Sequence, residues 1–358
     1  MTGPLQPGAI RIGVETDAFG RVASVELHSS RPAGLSRLFV GRPAAEIPAL
    51  AASLFGLCGF AHGAAARNAI AAARGEVASW KDDTPVLAAE RLAESLRACV
   101  MEWPSASLDR ASVTTPLREA MMTARALMAA DHMFSRDERM LDSIEKVFLT
   151  CGLRPDTQEL DGFFEAMMLE ARAENFGSPQ APDALSPHDD AVVIHALRRQ
   201  RTAFATAPAL PGRIVETGAF ARHWREIMSE SSMLAARLGA RFVDMRETLR
   251  MLRSACAGEP DLACAAGQIG EGEGYAAVET ARGRLYHWAR LASDGCVLDY
   301  EMLAPTEWNF HAEGPFAVAL RGAEIGFGEI ARRRVARLAA LFDPCVAFDI
   351  HIYEPAHA

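Results

Sequence analysis

The pattern of apolar and polar positions opens with a period of two and then lengthens to three and four. Residues 9–28 alternate around Asp17-Ala18-Phe19-Gly20, as expected of two strands joined by a tight turn. Helical spacing follows: Gly63 to Val77 is alanine-rich, Leu87 to Trp103 stops at Pro104, and Pro116 to Met133 obeys the same rule. Glu138 to Leu149, Leu160 to Ala173 and a long run from Gly218 to Ala255 continue it. A second hairpin is expected from Arg284 to Met302, where Leu285, Trp288 and Leu291 lead into Asp294-Gly295 and Val297, Leu298 and Tyr300 lead out. Breaks rich in Pro, Gly and Ser fall at Gly177 to Pro187 and Ala205 to Gly212, and Gly258 to Gly274 reads as a flexible, acidic, glycine-rich loop. The pattern predicts an α+β, mainly α fold: one domain over residues 1–358 with small antiparallel sheets, its two ends brought together.

Composition narrows the function. A chain of 358 residues can bury a sizeable core, and length alone allows one large domain or two or three smaller ones. The net charge of -9 argues against a nucleic-acid surface, which needs clustered Lys and Arg. The basic run Arg332-Arg333-Arg334 is too short to change this and reads as a solvated helix face. The seven cysteines are odd in number and widely spaced, which favours reduced thiols and a cytoplasmic setting. No apolar stretch reaches the ~20 residues that span a bilayer, and no basic-then-apolar leader opens the chain, so membrane insertion is not expected.

Two segments at opposite ends carry the candidate chemistry. Leu57-Cys58-Gly59-Phe60-Ala61-His62 and Phe342-Asp343-Pro344-Cys345, running on to Phe348 and His351, each read as a CxxC pair with one cysteine replaced. Phe55 stands three before Cys58 and Phe348 three after Cys345. On a helix starting near Gly56, Cys58 and His62 would project from one face, and the helix N-terminus would lower the thiol pKa. The plainer account is a buried cysteine beside a hydrogen-bonded histidine, since two cysteines and a histidine fall short of a closed tetrahedral set.

These segments resemble the large subunit of nickel-iron hydrogenases, in which an RxCGxCxxxH motif and a DPCxxCxxH motif bring four thiolates around one nickel and one iron. The likeness is collinear. Ile10-Arg11-Ile12-Gly13-Val14-Glu15 with Gly20-Arg21-Val22 resembles the family's opening hairpin, and Gly41-Arg42-Pro43 its approach to the first motif. Val215-Glu216-Thr217-Gly218-Ala219-Phe220-Ala221-Arg222 resembles its E-x-G-P-L-A-R segment, Glu279-Thr280-Ala281-Arg282-Gly283 its E-A-P-R-G element, and Pro305-Thr306-Glu307-Trp308-Asn309 its P-T-x-W-N. Residues 105 to 205 match only loosely. The branch with a thinned cysteine set is the HupK/HoxV type of hydrogenase maturation protein, thought to be a scaffold for an iron carrying cyanide and carbon monoxide.

The resemblance implies a site. Cys58 and Cys345 would be the metal ligands, and soft thiolates suit an iron whose other positions hold diatomic ligands. Phe55 and Phe348 remove half the sulfur around nickel, so no stable nickel is expected. Arg282 would hydrogen-bond a cyanide nitrogen, with Asp343 orienting it, and His62 would stand behind the ligands. The plain alternatives are a surface arginine in a turn and an Asx-turn into Pro344. His351 would lie near a magnesium position, but Ser36 replaces that metal's acidic ligand. Pro7 stands where active subunits carry a proton-taking glutamate, and the tail Ile352 to Ala358 is shorter than the extension the family's endopeptidase removes. The expected partners are Hyp-type maturation proteins, above all the small iron-escort chaperone, and the immature large subunit. Competing readings are a divergent hydrogenase or redox subunit and a metal-free decoy for chaperones.

Other constellations are weaker. Two carboxylates make Gly270-Glu271-Gly272-Glu273-Gly274 a poor phosphate cradle. No GxSxG occurs. His132 beside Asp131, and His188 before Asp189-Asp190, read as surface caps; Met121-Met122 and Met167-Met168 read as helix core.

Overall fold

The computed structural model describes residues 8–129, 138–174, 177–256 and 263–355. Pro7, His132 and part of the glycine-rich segment lie outside the described residues. In chain order, β1 (Ala9–Thr16) and β2 (Val22–Ser29) are followed by α1 (Ile47–Leu54), α2 (Gly59–Ala73), α3 (Thr84–Glu102), α4 (Ala111–Ala129), α5 (Glu138–Cys151) and α6 (Gly162–Ala173). The two-residue strands β3 (Asp183–Ala184) and β4 (Val215–Glu216) bracket α7 (Asp190–Gln200) and α8 (Thr202–Thr206). Then come α9 (Ala219–His223), α10 (Met233–Cys256), the strands β5 (Ala265–Gly270), β6 (Glu273–Thr280), β7 (Gly283–Leu291) and β8 (Val297–Leu303), and finally α11 (Pro305–Asn309), α12 (Pro315–Leu320), α13 (Gly328–Phe342) and β9 (Ala347–Tyr353). The fold is α+β and mainly α.

The two ends of the chain meet in one sheet of order β2-β1-β9. The expected antiparallel hairpin sets Ile12 opposite Leu27, while β9 lies parallel to β1 with Ile12 opposite Ile350 and Gly13 opposite His351. This sheet is therefore mixed, and β3 with β4 is parallel too, so the expectation of antiparallel sheets alone is corrected. A parallel neighbour needs a long crossover; here almost the whole chain supplies it.

The largest core cluster joins the first sheet to α3, α4, α5, α6, α10 and α13. In α10 the buried Leu234, Leu238, Phe242, Met245 and Leu249 form a stripe at three and four spacing. Each such burial contributes about 1.5–3 kcal/mol, which holds this helix more firmly than propensity does. The helical run read from Gly218 is broken, however. Ser232 ends the break: its hydroxyl accepts the Ala235 N–H at 3.4 Å and donates to the Ala171 carbonyl at 3.0 Å, so α10 starts at a side-chain cap. α4 likewise begins before Pro116, because Asp109 accepts the amides of Ala111 and Ser112.

The second sheet, β5-β6-β7-β8, is an antiparallel meander packed on both faces. Ala276, Val278, Leu285 and Ala289 meet the alanine face of α2, while Ala277, Tyr286 and Trp288 face α7 and α8. Of the segment read as a flexible loop, the described residues from 265 on form β5 and a tight hairpin turn into β6, with Gly272 at φ 67°. Gly274 is required for packing, because a Cβ there would sit 2.2 Å from the Ala73 nitrogen. Small residues let α2 approach the strands this closely. The surface-cap reading of Asp190 is corrected as well: it is buried, with the Arg284 guanidinium and the Tyr286 hydroxyl on its carboxylate. His188 is exposed; Met167 and Met168 are core, but Met122 faces solvent.

Candidate metal centre

α1 ends at Leu54, and the chain turns through Phe55-Gly56-Leu57 into α2, whose N-cap is Cys58. The other thiol arrives from the far end. α13 ends at Asp343, a non-glycine residue at φ 51° fixed by its amide donating to the Ala339 carbonyl at 3.0 Å, and Pro344 then turns the chain toward β9. Arg282 sits at the tip of the β6–β7 hairpin, whose turn is held by Thr280 Oγ1: it accepts the Arg282 N–H at 3.2 Å and donates to the Gly283 carbonyl at 2.8 Å.

These three tips converge on one cavity of about 790 Å³, and Cys58, Cys345, Arg282 and His62 all line it. Phe55 and Phe348 line it too, so the residues spaced three from each cysteine contribute apolar rings to the same wall. Asp343 stands behind Arg282. His351 does not join the group: on β9 it is part-exposed, 2.8 Å from Asp349 and stacked on Tyr353. Ser36 is buried and donates to Glu301 Oε2 at 3.2 Å.

Arg282 is 4% exposed. Its Nη2 donates to Glu94 at 3.1 Å and its Nε lies 3.3 Å from Asp343 Oδ1, too poorly aligned to be a hydrogen bond. Nη1 and Nε of Arg282 and Oδ1 of Asp343 are thus buried polar atoms lacking a hydrogen-bond partner among the described residues. Desolvation works against the guanidinium charge, but Asp343, Cys58, Glu94 and Cys345 outweigh it and raise the pKa. A buried donor left unmade is costly, so such an atom beside a cavity points to an acceptor that the protein itself does not supply.

The thiols are in different settings. Burial pushes the Cys58 thiol up, with Arg282 opposing and Cys345, Glu90 and Glu94 reinforcing. The expected lowering at the helix N-terminus is outweighed by burial, and the first amides of α2 serve another carboxylate: Glu90 accepts the N–H of Phe60 at 2.8 Å and of Ala61 at 3.0 Å. Burial raises Glu90 in turn, to about 7. Cys345 lies 3.5 Å from the Thr306 hydroxyl, which donates to its sulfur.

Several residues around the cavity carry no signal in the motifs. Arg31, in the loop after β2, pairs with Glu307; desolvation opposes its charge, yet Cys345, Glu307 and Cys58 raise its pKa overall. His62 meets His287 through Nδ1···Nε2 at 2.9 Å, and His287 Nδ1 lies 2.7 Å from the Tyr300 hydroxyl. Burial lowers His62 well below its ordinary value and His287 to about 3. The strand period could have flagged His287, since Leu285 and Ala289 on the same face meet α2; Arg31 lies in a loop with no such period.

The fold is that of nickel-dependent hydrogenases. The family profile described as "Nickel-dependent hydrogenase" matches residues 217–351. Two solved structures share the fold: a [NiFeSe] hydrogenase variant from Desulfovibrio vulgaris Hildenborough, at TM-score 0.61 and 14% identity over 91% of this chain and 93% of that one, and an NAD+-reducing [NiFe]-hydrogenase, at 0.58 and 15% over 92% and 93%. By its relatives the chain belongs to the family of hydrogenase expression/formation proteins named HupK and HoxV. It is 39% identical to HupK of Rhizobium leguminosarum bv. viciae, over 98% of this chain and 99% of the relative, and 30% identical to HoxV of Cupriavidus necator, over 90% and 92%.

Proposed function

We propose that this protein is a non-catalytic scaffold in nickel-iron hydrogenase maturation, which holds or passes on an iron bearing cyanide and carbon monoxide. One observation carries the reading: Cys58 and Cys345 share a cavity wall with the unpartnered Arg282 Nη1, while the two remaining cysteine positions are Phe55 and Phe348. Two thiolates suffice for an iron whose remaining positions hold strong-field diatomic ligands. A cyanide nitrogen is an acceptor of the kind Arg282 lacks, and the guanidinium offsets the unit's negative charge. The relatives' names as hydrogenase expression/formation proteins support the assembly role.

In this reading the iron unit is cargo. It arrives from Hyp-type maturation proteins, including the small iron-escort chaperone, and leaves for the immature large subunit. The chain works in the cytoplasm, where those proteins act. Among the described residues no helix is long and apolar enough to cross a membrane.

The test is the infrared spectrum of protein purified anaerobically from a host with an intact maturation system, beside Cys58→Ala. Cyanide and carbonyl bands in the parent and not in the variant are expected. A parent free of both bands and of iron would favour the chaperone decoy, and hydrogen-dependent dye reduction would favour a divergent hydrogenase.

A further inference from the structure

His62 has three of its surroundings fixed. Its Nδ1 edge meets His287, one ring face is covered by Phe55 at 3.7 Å between centroids, and the residue lines the cavity. Nε2 has no protein partner among the described residues and is the edge left for the cavity contents.

Which tautomer His62 adopts is decided at the other end of the chain. Tyr300 is 3% exposed, and the hydroxyl's one partner among the described residues is His287 Nδ1. A buried phenol that accepts here would leave its own proton without an acceptor, so it donates. His287 Nδ1 is then the acceptor, and in a neutral ring the proton sits on Nε2. That N–H donates to His62 Nδ1, which leaves the His62 proton on Nε2. Burial keeps both rings neutral, so the sequence of donors runs one way only, from Tyr300 to the cavity.

We infer that the buried His287–Tyr300 pair locks His62 as an Nε2–H donor facing the cavity, so that His62 serves a hydrogen-bond acceptor there and offers no lone pair to a metal. The identity of that acceptor as cyanide rests on the scaffold reading; the tautomer does not. His62 would then face the cargo as a second fixed donor beside Arg282, making it a positioning residue for the diatomic ligands.

The experiment is long-range proton–nitrogen NMR on the metal-free protein labelled at histidine, with His62→Gln to assign the ring. The parent is expected to show a protonated Nε2 and an unprotonated Nδ1 on His62. Tyr300→Phe removes the first donor at nearly constant volume and should turn that single form into a mixture of tautomers. A lone pair on Nε2 in the parent overturns the inference, and so does a Tyr300→Phe protein with an unchanged tautomer. Because no metal is present, a lost inference leaves the iron reading standing, and absent cyanide bands would sink the iron reading while leaving the tautomer intact.

Discussion

Phe55 lies flat on His62, with ring centroids 3.7 Å apart and planes 11° from parallel. A residue at a position where the resembled subunits carry a thiolate has become part of the apolar wall that holds an imidazole. If Phe55 and Phe348 are what exclude nickel, restoring sulfur at both should admit it. Phe55→Cys/Phe348→Cys is expected to retain close to one nickel per chain after desalting, measured by elemental analysis, where the parent retains essentially none. Losing the stack costs about 0.5–1.5 kcal/mol, visible as a lower unfolding midpoint. A parent that holds nickel as well as the double variant would refute the exclusion argument.

Arg282 separates two roles that one substitution would confuse. Removing the guanidinium takes one buried cation from both Glu94 and Asp343, which keep Arg97 and Arg241 respectively, so the loss falls below the about 3–5 kcal/mol of a buried pair broken outright. Arg282→Ala should therefore lower stability by less than this in denaturant titration. Arg282→Lys keeps the charge but has no fork of fixed donors, so it should fold with a smaller loss and still displace the cyanide bands. Unshifted bands in Arg282→Lys would mean that the free Nη1 serves no ligand.

Part of this site was legible in the sequence and part was not. Cys58, Cys345 and Arg282 stand inside short collinear motifs whose residue types state their chemistry. His287 and Tyr300 do not: the His62–His287 contact spans 225 residues, and nothing local says which histidine a buried histidine will meet. Asp343 was expected either to orient Arg282 or to make an Asx-turn; its place 3.3 Å from Arg282 Nε depends on α13 stopping in a left-handed conformation, which no residue type announces. The fold shows the same division. Both hairpins follow from local turn chemistry, whereas β9 alongside β1 is a parallel pairing of opposite chain ends that no local pattern encodes. The break before Ser232 was overrun because the apolar spacing continues on both sides and outweighed the capping residues between.

Glu90 should give the metal-free protein a recognisable pH dependence. Burial raises its folded pKa from 4.5 to about 7, even though it accepts two amides at the start of α2. The folded state therefore binds the proton more tightly than the unfolded chain. This stability is fully present below about 4.5 and is lost as pH rises through about 7, on the order of 3 kcal/mol in all. His62 and His287, both lowered, act in the opposite sense, so the parent's curve alone is not diagnostic. The difference between parent and Glu90→Gln, from urea midpoints at pH 5 and pH 8, should isolate the Glu90 contribution. A difference that does not change with pH would place the Glu90 pKa in the ordinary range.

Cys58 carries a cost that any metal must meet. Burial raises its thiol, and Arg282 only partly opposes this, so the metal-free protein holds Cys58 as a neutral S–H at neutral pH. A metal binds the thiolate, so loading must expel that proton, and affinity should rise with pH. The same property makes the free thiol a poor nucleophile. Iodoacetamide at pH 8 should modify Cys58 several-fold more slowly than an unfolded-state cysteine, read by peptide mass spectrometry. Arg282→Lys, which keeps a positive charge nearby, should change this rate little, while Arg282→Met should slow it further, provided circular dichroism shows the variant folded. Fast alkylation of Cys58 in the parent would mean that the thiolate is already formed, and that Arg282 outweighs burial after all.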